Sequence, residues 1–368
     1  MMSVPLISVV LPVYNAEPYV AAALESILRQ DYPHLEVIAL DDGSTDRSLD
    51  ILQRYRKADD RIRIVSRENR GLVATLNEGI ALANGDLVAR MDADDISYPY
   101  RFSRQVALFT RQPQLAMSGT GIDQLVGNRV VLGKPDPVYQ SGEWHILSKF
   151  FTIFMHSTVM YNRKVIPDGV LVYDASYVHA EDFDLFRRIA RELPAAMIDE
   201  SLVAYRIHDD SVTSKHKYQM RRTHLKIVTE NLGQEFLERD PHALCDIATV
   251  VTPETVCRAA NCIITIDRKI AEQLAPGSSS YADGALCLFY FLYRLIIDAQ
   301  RPELTHDFLT RTGKWQVIRR RERYGLHSAL RSPWLGRFSD EATRRADALA
   351  RYCQSVPAKA VAPLQGLA

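Results

Sequence analysis

Four short apolar runs, each separated from the next by a stretch of helical spacing, narrow most sharply what this chain can fold into. The runs are Leu6–Val13, Leu35–Leu40, Ile62–Val65 and Leu87–Met91. Between them, Pro18–Gln30 carries Val20, Ala23, Leu24, Ile27 and Leu28 at helical intervals, a helix follows Asp46, which can cap it, and Leu72–Ala83 reads as a third helix. Strands alternating with helices of about 10–15 residues imply βαβ units and a parallel, doubly wound sheet. Near-continuous apolar strands imply that the sheet is covered on both faces.

Beyond residue 100 the alternation loosens. Phe102–Gln112 predicts a helix, Gly119–Lys134 strands and turns, and Pro135–Gly142 a loop; Trp144–Met160 is strongly apolar. Asp182–Arg191 predicts another helix and Ala196–Arg206 a strand, and from about Lys217 the pattern is helical. The expected organisation is an α/β domain over residues 1–215 and a mainly helical domain over 216–354 that binds acceptor or a partner. Ser355–Ala368, rich in Ala and Pro, reads as a disordered tail.

Charge and cysteine usage exclude several classes. Lys plus Arg and Asp plus Glu number 45 each, so no global field favours nucleic acid, and any electrostatic role is local. The five cysteines form no C-x-x-C pair and lie in the second half, which points to reduced thiols in a cytoplasmic protein. Leu6–Val13 lacks the basic lead-in and cleavage site of a signal peptide. The longest apolar run, Ala285–Ile297, is shorter than the ~20 residues that span a bilayer, and reads as a core helix buried all round. Arg319-Arg320-Arg321 with Arg323, and Arg344-Arg345, read as solvated helix faces; they leave peripheral membrane contact, at the inner face, open.

Three acidic groups sit where chemistry could occur. Asp92-Ala93-Asp94-Asp95 follows the strand Leu87–Met91, at the end of the sheet where open α/β folds bind ligands. In an extended stretch Asp92 and Asp94 would project together and Asp95 away. Such hard oxygen ligands suit Mg2+ or Mn2+ on a diphosphate; a solvated acidic turn fits the tetrapeptide equally. Asp41-Asp42-Gly43-Ser44 ends the second strand, and Asp41 could accept the imide N–H of a pyrimidine, or the segment could simply be a turn and a cap. Glu181-Asp182 opens a helix, where acids are favoured by the macrodipole and where a carboxylate general base could also sit. Arg70 could reach a base or phosphates, His156 reads as a hydrogen-bonded interior histidine, and His208 as a surface residue unless its loop folds back over a ligand.

Taken in order, these segments resemble the large family 2 of inverting glycosyltransferases, whose members have a GT-A fold. The resemblance runs from Ile7 to about Ser214 through Val9-Val10-Leu11-Pro12-Val13-Tyr14-Asn15, Asp41-Asp42-Gly43-Ser44-Thr45-Asp46, Asn69-Arg70-Gly71-Leu72, Gly85-Asp86, Met91-Asp92-Ala93-Asp94-Asp95, His156-Ser157, Glu181-Asp182-Phe183-Asp184-Leu185 and Tyr205-Arg206-Ile207-His208. It implies that Pro12, Val13, Tyr14 and Asn15 line the nucleoside site, that Asp41 binds the base, and that Asp92 lies near ribose and sugar. Arg70 and Glu181 join the donor-binding set. Asp94 and His208 would hold Mn2+ or Mg2+, and Asp182 would be the catalytic base. The proline that usually follows the histidine at 156 is absent.

The expected partners are a nucleotide-sugar donor, with UDP ahead of GDP and dTDP, and a glycan or lipid-linked acceptor in polysaccharide biosynthesis. The G-x-G-x-x-G of a dinucleotide dehydrogenase is missing after the first strand. So is the Gly-rich, basic phosphate loop expected of a nucleotidyltransferase. A non-catalytic nucleotide-sugar-binding or scaffold protein on the same fold is the alternative. Donor sugar, linkage and oligomeric state are not encoded in any motif.

Overall fold

The computed structural model describes residues 4–134, 142–208, 215–237, 240–273, 279–331, 354–358 and 361. The chain divides into two compact units, Met1–His145 with Thr152–Lys215 and Ser355–Ala368, and Ile146–Phe151 with His216–Gln354.

The first unit opens with β1 (Ile7–Val13), α1 (Val20–Leu28), β2 (Leu35–Asp41), α2 (Ser48–Ala58), β3 (Ile62–Ser66), α3 (Leu72–Leu82) and β4 (Leu87–Arg90). All seven residues of β1 are buried, as a strand covered on both faces requires. β1 pairs in parallel with both β2 and β4, and β2 pairs in parallel with β3. Strand order therefore reverses at β1, and a crevice opens at the carboxyl ends of β1 and β4. The register sets Asp41 beside Val13 on one side and Ser66 on the other. α1 buries Val20, Ala23, Leu24 and Ile27 against this sheet. α3 seats so closely that a Cβ on Gly79 would lie 2.5 Å from Val10 Cγ1, so only glycine permits the contact.

The remaining elements of this unit are β5 (Ile96–Ser97), α4 (Arg101–Arg111), β6 (Met117–Val126), β7 (Arg129–Val131), β8 (Met160–Asn162), α5 (Glu181–Glu192), β9 (Ala195–Ile207) and β10 (Ser355–Pro357). β8 joins β4 to β6 through antiparallel ladders. β9 runs parallel to β6 and antiparallel to β5, which directs its end toward the turn after β4. Ser355–Pro357, read from composition as tail, pairs instead with β7, and Arg129 donates to Ser355 Oγ at 2.6 Å. Local composition carries no information on a partner 226 residues away.

The second unit is helical: α6 (Lys217–Leu237), kinked at Gly233, then α7 (Ala243–Thr249), α8 (Pro253–Gln273), α9 (Ser279–Asp298), α10 (Pro302–Thr312) and α11 (Arg320–Arg331). α9 exceeds the apolar run inside it and is long and apolar enough to cross a membrane, with half of that window buried. It is not buried all round, because Tyr290, Arg294 and Asp298 form an exposed stripe. Gly284 admits Phe150 from the segment Ile146–Phe151, since a Cβ there would lie 2.3 Å from the ring. Arg319, Arg320 and Arg321 are exposed, and Arg344 and Arg345 lie outside the described residues.

Candidate active site

Two loops build the end of the site where the resemblance sets the nucleoside. Pro12 and Val13 are buried in β1, whereas Tyr14 is 55% exposed just beyond it. Asn15 takes a positive φ of 48° and stitches the loops together: its N–H donates to Ser44 Oγ at 3.0 Å, and its Oδ1 accepts from Thr45 N at 2.8 Å. Asp46 does bond to the start of α2, accepting from Ser48 N at 2.9 Å, and its other oxygen accepts from Glu17 N. Asp41 is buried and oriented by Ser66 Oγ at 2.8 Å and Ser44 N at 3.3 Å.

Asp42 anchors the head of α3, accepting from Arg70 N at 2.9 Å and Gly71 N at 3.0 Å. Gly43 is required between the loops, for its φ is 75° and a Cβ would lie 2.7 Å from Asn69 N. The Arg70 side chain is largely exposed and reaches only Glu68, at 3.5 Å. The guanidinium that enters this cluster belongs to Arg67, which pairs with Asp42, donates to Glu78 at 2.6 Å and to Thr75 Oγ1 at 3.0 Å.

The acids after β4 lie in a turn, and this changes their directions. Oxygens of Asp92, Asp94 and Asp95 come within 4.8 Å of one another, so Asp95 does not point away as alternation would have it. Asp95 is fully buried, accepts from Arg206 N at 2.7 Å, and lies in hydrogen-bond contact with Ser157 Oγ. The same hydroxyl lies 2.7 Å from Asp92 Oδ2 and accepts from Arg90 at 3.0 Å. Burial first, then the neighbouring carboxylates, push Asp95 well above the ordinary carboxylate range; Asp94 is raised by burial and by the charge of Asp92. His208 arrives from β9 with Nε2 2.9 Å from Asp94 Oδ2. Arg206 donates to Asp94 O at 2.7 Å, and its guanidinium covers the Tyr19 ring at 4.9 Å.

Arg90 ties this turn to the rest of the site. Burial alone would lower its pKa, but its ion pair with Asp92 outweighs that and keeps it charged. Arg101, fully buried, donates to the carbonyls of Arg90 at 3.0 Å and Val159 at 3.3 Å and so fixes the exit of β4; burial brings it down to about 9.

Glu181 and Asp182 begin α5, where exposed N–H groups favour acids. Glu181 is buried, while Asp182 is partly exposed and accepts from Phe183 N at 2.7 Å. Burial raises both carboxyls; the charge of Asp182 raises Glu181 further, and Arg90 acts in the opposite sense. His156 bonds through Nε2 to Tyr173 OH at 2.7 Å, and burial holds it well below the usual histidine range, so the ring is neutral at pH 7.

The structure therefore gathers Asp92, Asp94 and His208 at one strand end and sets Asp41 at another. It holds Glu181 and Asp182 in the electrostatic reach of Arg90 and Asp92. In the sequence Arg67 and Arg90 were passed over, Asp95 was set facing away, and Ser157 and Arg206 stood within motifs without a role. Arg90 alone left a signal, as the one charged residue in the apolar run Leu87–Met91.

Residues 8–169 match the family described as Glycosyl transferase family 2. An uncharacterised glycosyltransferase of Haemophilus influenzae is 31% identical over 240 residues, 62% of this chain and 73% of that one. Among solved structures, S. aureus TarS 1-349 in complex with UDP-GlcNAc aligns with a TM-score of 0.52 at 16% identity, over 84% of this chain and 91% of that one. The mannosyltransferase PcManGT from Pyrobaculum calidifontis, in complex with GDP-Man and Mn2+, aligns with a TM-score of 0.50 at 18% identity, over 86% and 88%. At such identities the two structures speak for the GT-A fold alone. With a relative of this identity matched over most of its length, and the family's own pattern in the sheet that carries the acids, the chain belongs to glycosyltransferase family 2.

Proposed function

We propose that the protein transfers a sugar from a nucleotide diphosphate donor, a UDP-sugar first, to a hydroxyl of a glycan or lipid-linked oligosaccharide, with inversion at the anomeric carbon. The observation that carries this reading is the separation of two kinds of carboxylate. One group is clustered in the turn after β4 with an imidazole beside it. The other, Asp182, heads a helix with its basicity raised to about 6. The first set suits a diphosphate and its cation, the second a proton.

The donor set at the turn, carboxylate oxygens with one histidine nitrogen, fits Mn2+ or Mg2+. Asp94 and His208 are the residues to hold it, because both oxygens of Asp95 already have partners in Ser157 and Arg206. A divalent ion there supplies neutralisation of the negative charge that develops on the leaving diphosphate. The protein's own part is binding and proton transfer. Asp41, fixed by Ser66, accepts the nucleobase N–H, and the exposed Tyr14 follows Val13, the register partner of Asp41. Asp182 takes the proton from the acceptor hydroxyl, whose oxygen forms the new bond to the anomeric carbon as the bond to the diphosphate breaks. Asp182 is preferred to Glu181 because the residue is partly exposed where Glu181 is buried, although burial raises both carboxyls. A single base with no second nucleophilic carboxylate gives inversion.

Thermal stabilisation by UDP, GDP and dTDP, each with and without Mn2+, tests the donor site. A ligand at a hundred times its dissociation constant adds about 2.7 kcal/mol. A shift with one nucleotide that is lost on chelation supports the proposal, and the absence of a shift with all three overturns it.

A further inference from the structure

The structure holds a connection between the nucleotide end of the site and the base that no motif indicates. Asn77, in the middle of α3, meets Tyr173 as a strand partner would: its Nδ2 donates to Tyr173 O at 2.9 Å, and Tyr173 N donates to its Oδ1 at 2.8 Å. The two residues are 96 positions apart. A two-point clamp of this kind fixes both the position and the direction of the backbone at Tyr173.

Each side of the clamp is rigid. α3 is fixed at its head by Asp42 through Arg70 N and Gly71 N, and on its flank by the close approach of Gly79 to Val10 and Leu40. On the other side, Tyr173 is buried, and its hydroxyl meets His156 Nε2 at 2.7 Å and Tyr161 OH at 3.1 Å. His156 precedes Ser157, the hydroxyl shared between Asp92 and Asp95. The preceding backbone is held as well, because Arg188 of α5 donates to Val170 O at 2.9 Å and Val172 O at 2.6 Å. From Tyr173 the chain passes through two turns, Tyr177 N to Asp174 O and Ala180 N to Tyr177 O, and a left-handed His179 (φ 62°) into Glu181 and Asp182. Arg187 of α5 also donates to Tyr177 OH at 2.9 Å, which ties the middle of this segment to the helix that Asp182 heads.

We propose that Asn77 is a positioning residue that sets the base loop in register with α3, the helix that follows Arg70, so that Asp182 meets the acceptor at the donor's anomeric carbon. The inference rests on the assignment of Asp182 as the base. A misplacement of about 1 Å at a reacting centre can cost about a hundredfold in rate, and among the described residues the side-chain hydrogen bonds of Asn77 go to Tyr173, not to a residue assigned to the nucleotide. Its removal should therefore affect turnover and leave nucleotide binding in place.

The experiment compares the full chain with Asn77→Ala, Asn77→Asp, Tyr173→Phe, the double variant Asn77→Ala/Tyr173→Phe, and Asp182→Asn. It measures kcat, the donor KM and the Kd for UDP with Mn2+, at a temperature where each variant is folded by circular dichroism. Asn77→Ala should lower kcat about 10- to 100-fold with Kd for UDP changed less than about 2-fold. Asn77→Asp, which keeps the acceptor for Tyr173 N–H and loses the donor, should fall between wild type and Asn77→Ala and serves if the alanine variant does not fold. Tyr173→Phe should be non-additive with Asn77→Ala, since both act through one chain of contacts. A purely structural role would lower the melting temperature and leave kcat of the folded fraction unchanged, and that result overturns the proposal. If Asp182→Asn is inactive while Asn77→Ala turns over normally, the positioning role alone fails. If Asp182→Asn retains transfer, the base assignment fails, and the proposal falls with it.

Discussion

His208 Nε2 lies 2.9 Å from Asp94 Oδ2, so the exit of β9 and the turn after β4, 114 residues apart in sequence, meet at one carboxylate. The pairing of β5 with β9 and the bonds from Arg206 to Asp94 O and Asp95 Oδ1 hold that meeting in place. Two strand ends thus contribute to the proposed ligand set, and the repulsion among clustered carboxylates is concentrated where a cation would relieve it.

Asp94→Ala should abolish the Mn2+-dependent part of nucleotide binding. His208→Ala should weaken it about 10-fold or more, the range seen when a metal ligand's support is removed. Thermal shifts with UDP and Mn2+ measure both. A His208→Ala protein that binds UDP and Mn2+ like the wild type would remove His208 from the ligand set.

Asp182→Asn should reduce transfer by about 10²–10⁴-fold, the usual contribution of a general base, while the Kd for UDP stays within about 2-fold. The same change should stabilise the fold at neutral pH. A carboxyl raised by burial binds its proton more tightly folded than unfolded, so it contributes against folding once pH exceeds its ordinary range. Melting temperatures of wild type and variant should therefore diverge between pH 5 and pH 8, with the variant higher at pH 8.

The pH profile of kcat follows from the same group. Asp182 must be ionised to accept a proton, and its pKa stands at about 6, so the rate should fall as pH drops through about 6. An unperturbed aspartate would hold its activity down to about pH 4. Initial rates from pH 5 to 8 at saturating donor and acceptor decide between the two limbs.

Arg67 and Arg70 should separate in stability. The Arg67 side chain is 12% exposed and joins Asp42, Glu78 and Thr75, so Arg67→Ala removes the cation beside Asp42, which keeps only its backbone partners Arg70 N and Gly71 N, and should cost about 1–3 kcal/mol in denaturant unfolding. The Arg70 side chain is 57% exposed, and Arg70→Ala should change stability by less than about 0.5 kcal/mol. Equal losses would mean that the Asp42 cluster does not depend on Arg67.

The sheet was legible because its evidence is local. β-branched runs at helix-length intervals state strand, helix and parallel order at once, and acids directly after a run must lie at its carboxyl end. What failed was direction within turns. Asp95 was assigned a side by strand alternation, but the backbone turns at Ala93–Asp94, and its carboxyl joins the cluster. Arg70 drew notice for its place in a motif and Arg67 drew none, because which of two nearby arginines turns inward depends on Asp42, Glu78 and Thr75 converging from other elements. Ser157 acquires its role only when β8 is laid against β4, which no nearby residue specifies.

The pairing of β10 with β7 bears on what the rim of the sheet presents to another chain. A strand at the rim of a sheet presents unpaired N–H and C=O groups that invite another chain. Here the rim beyond β7 is covered by a segment that returns only after the whole helical unit has been made, a closure of high contact order. A chain shortened before Ser355 would bare Arg129–Val131, and its first symptom should be self-association along that edge, ahead of any loss of the proposed nucleotide site at the opposite side of the strand order.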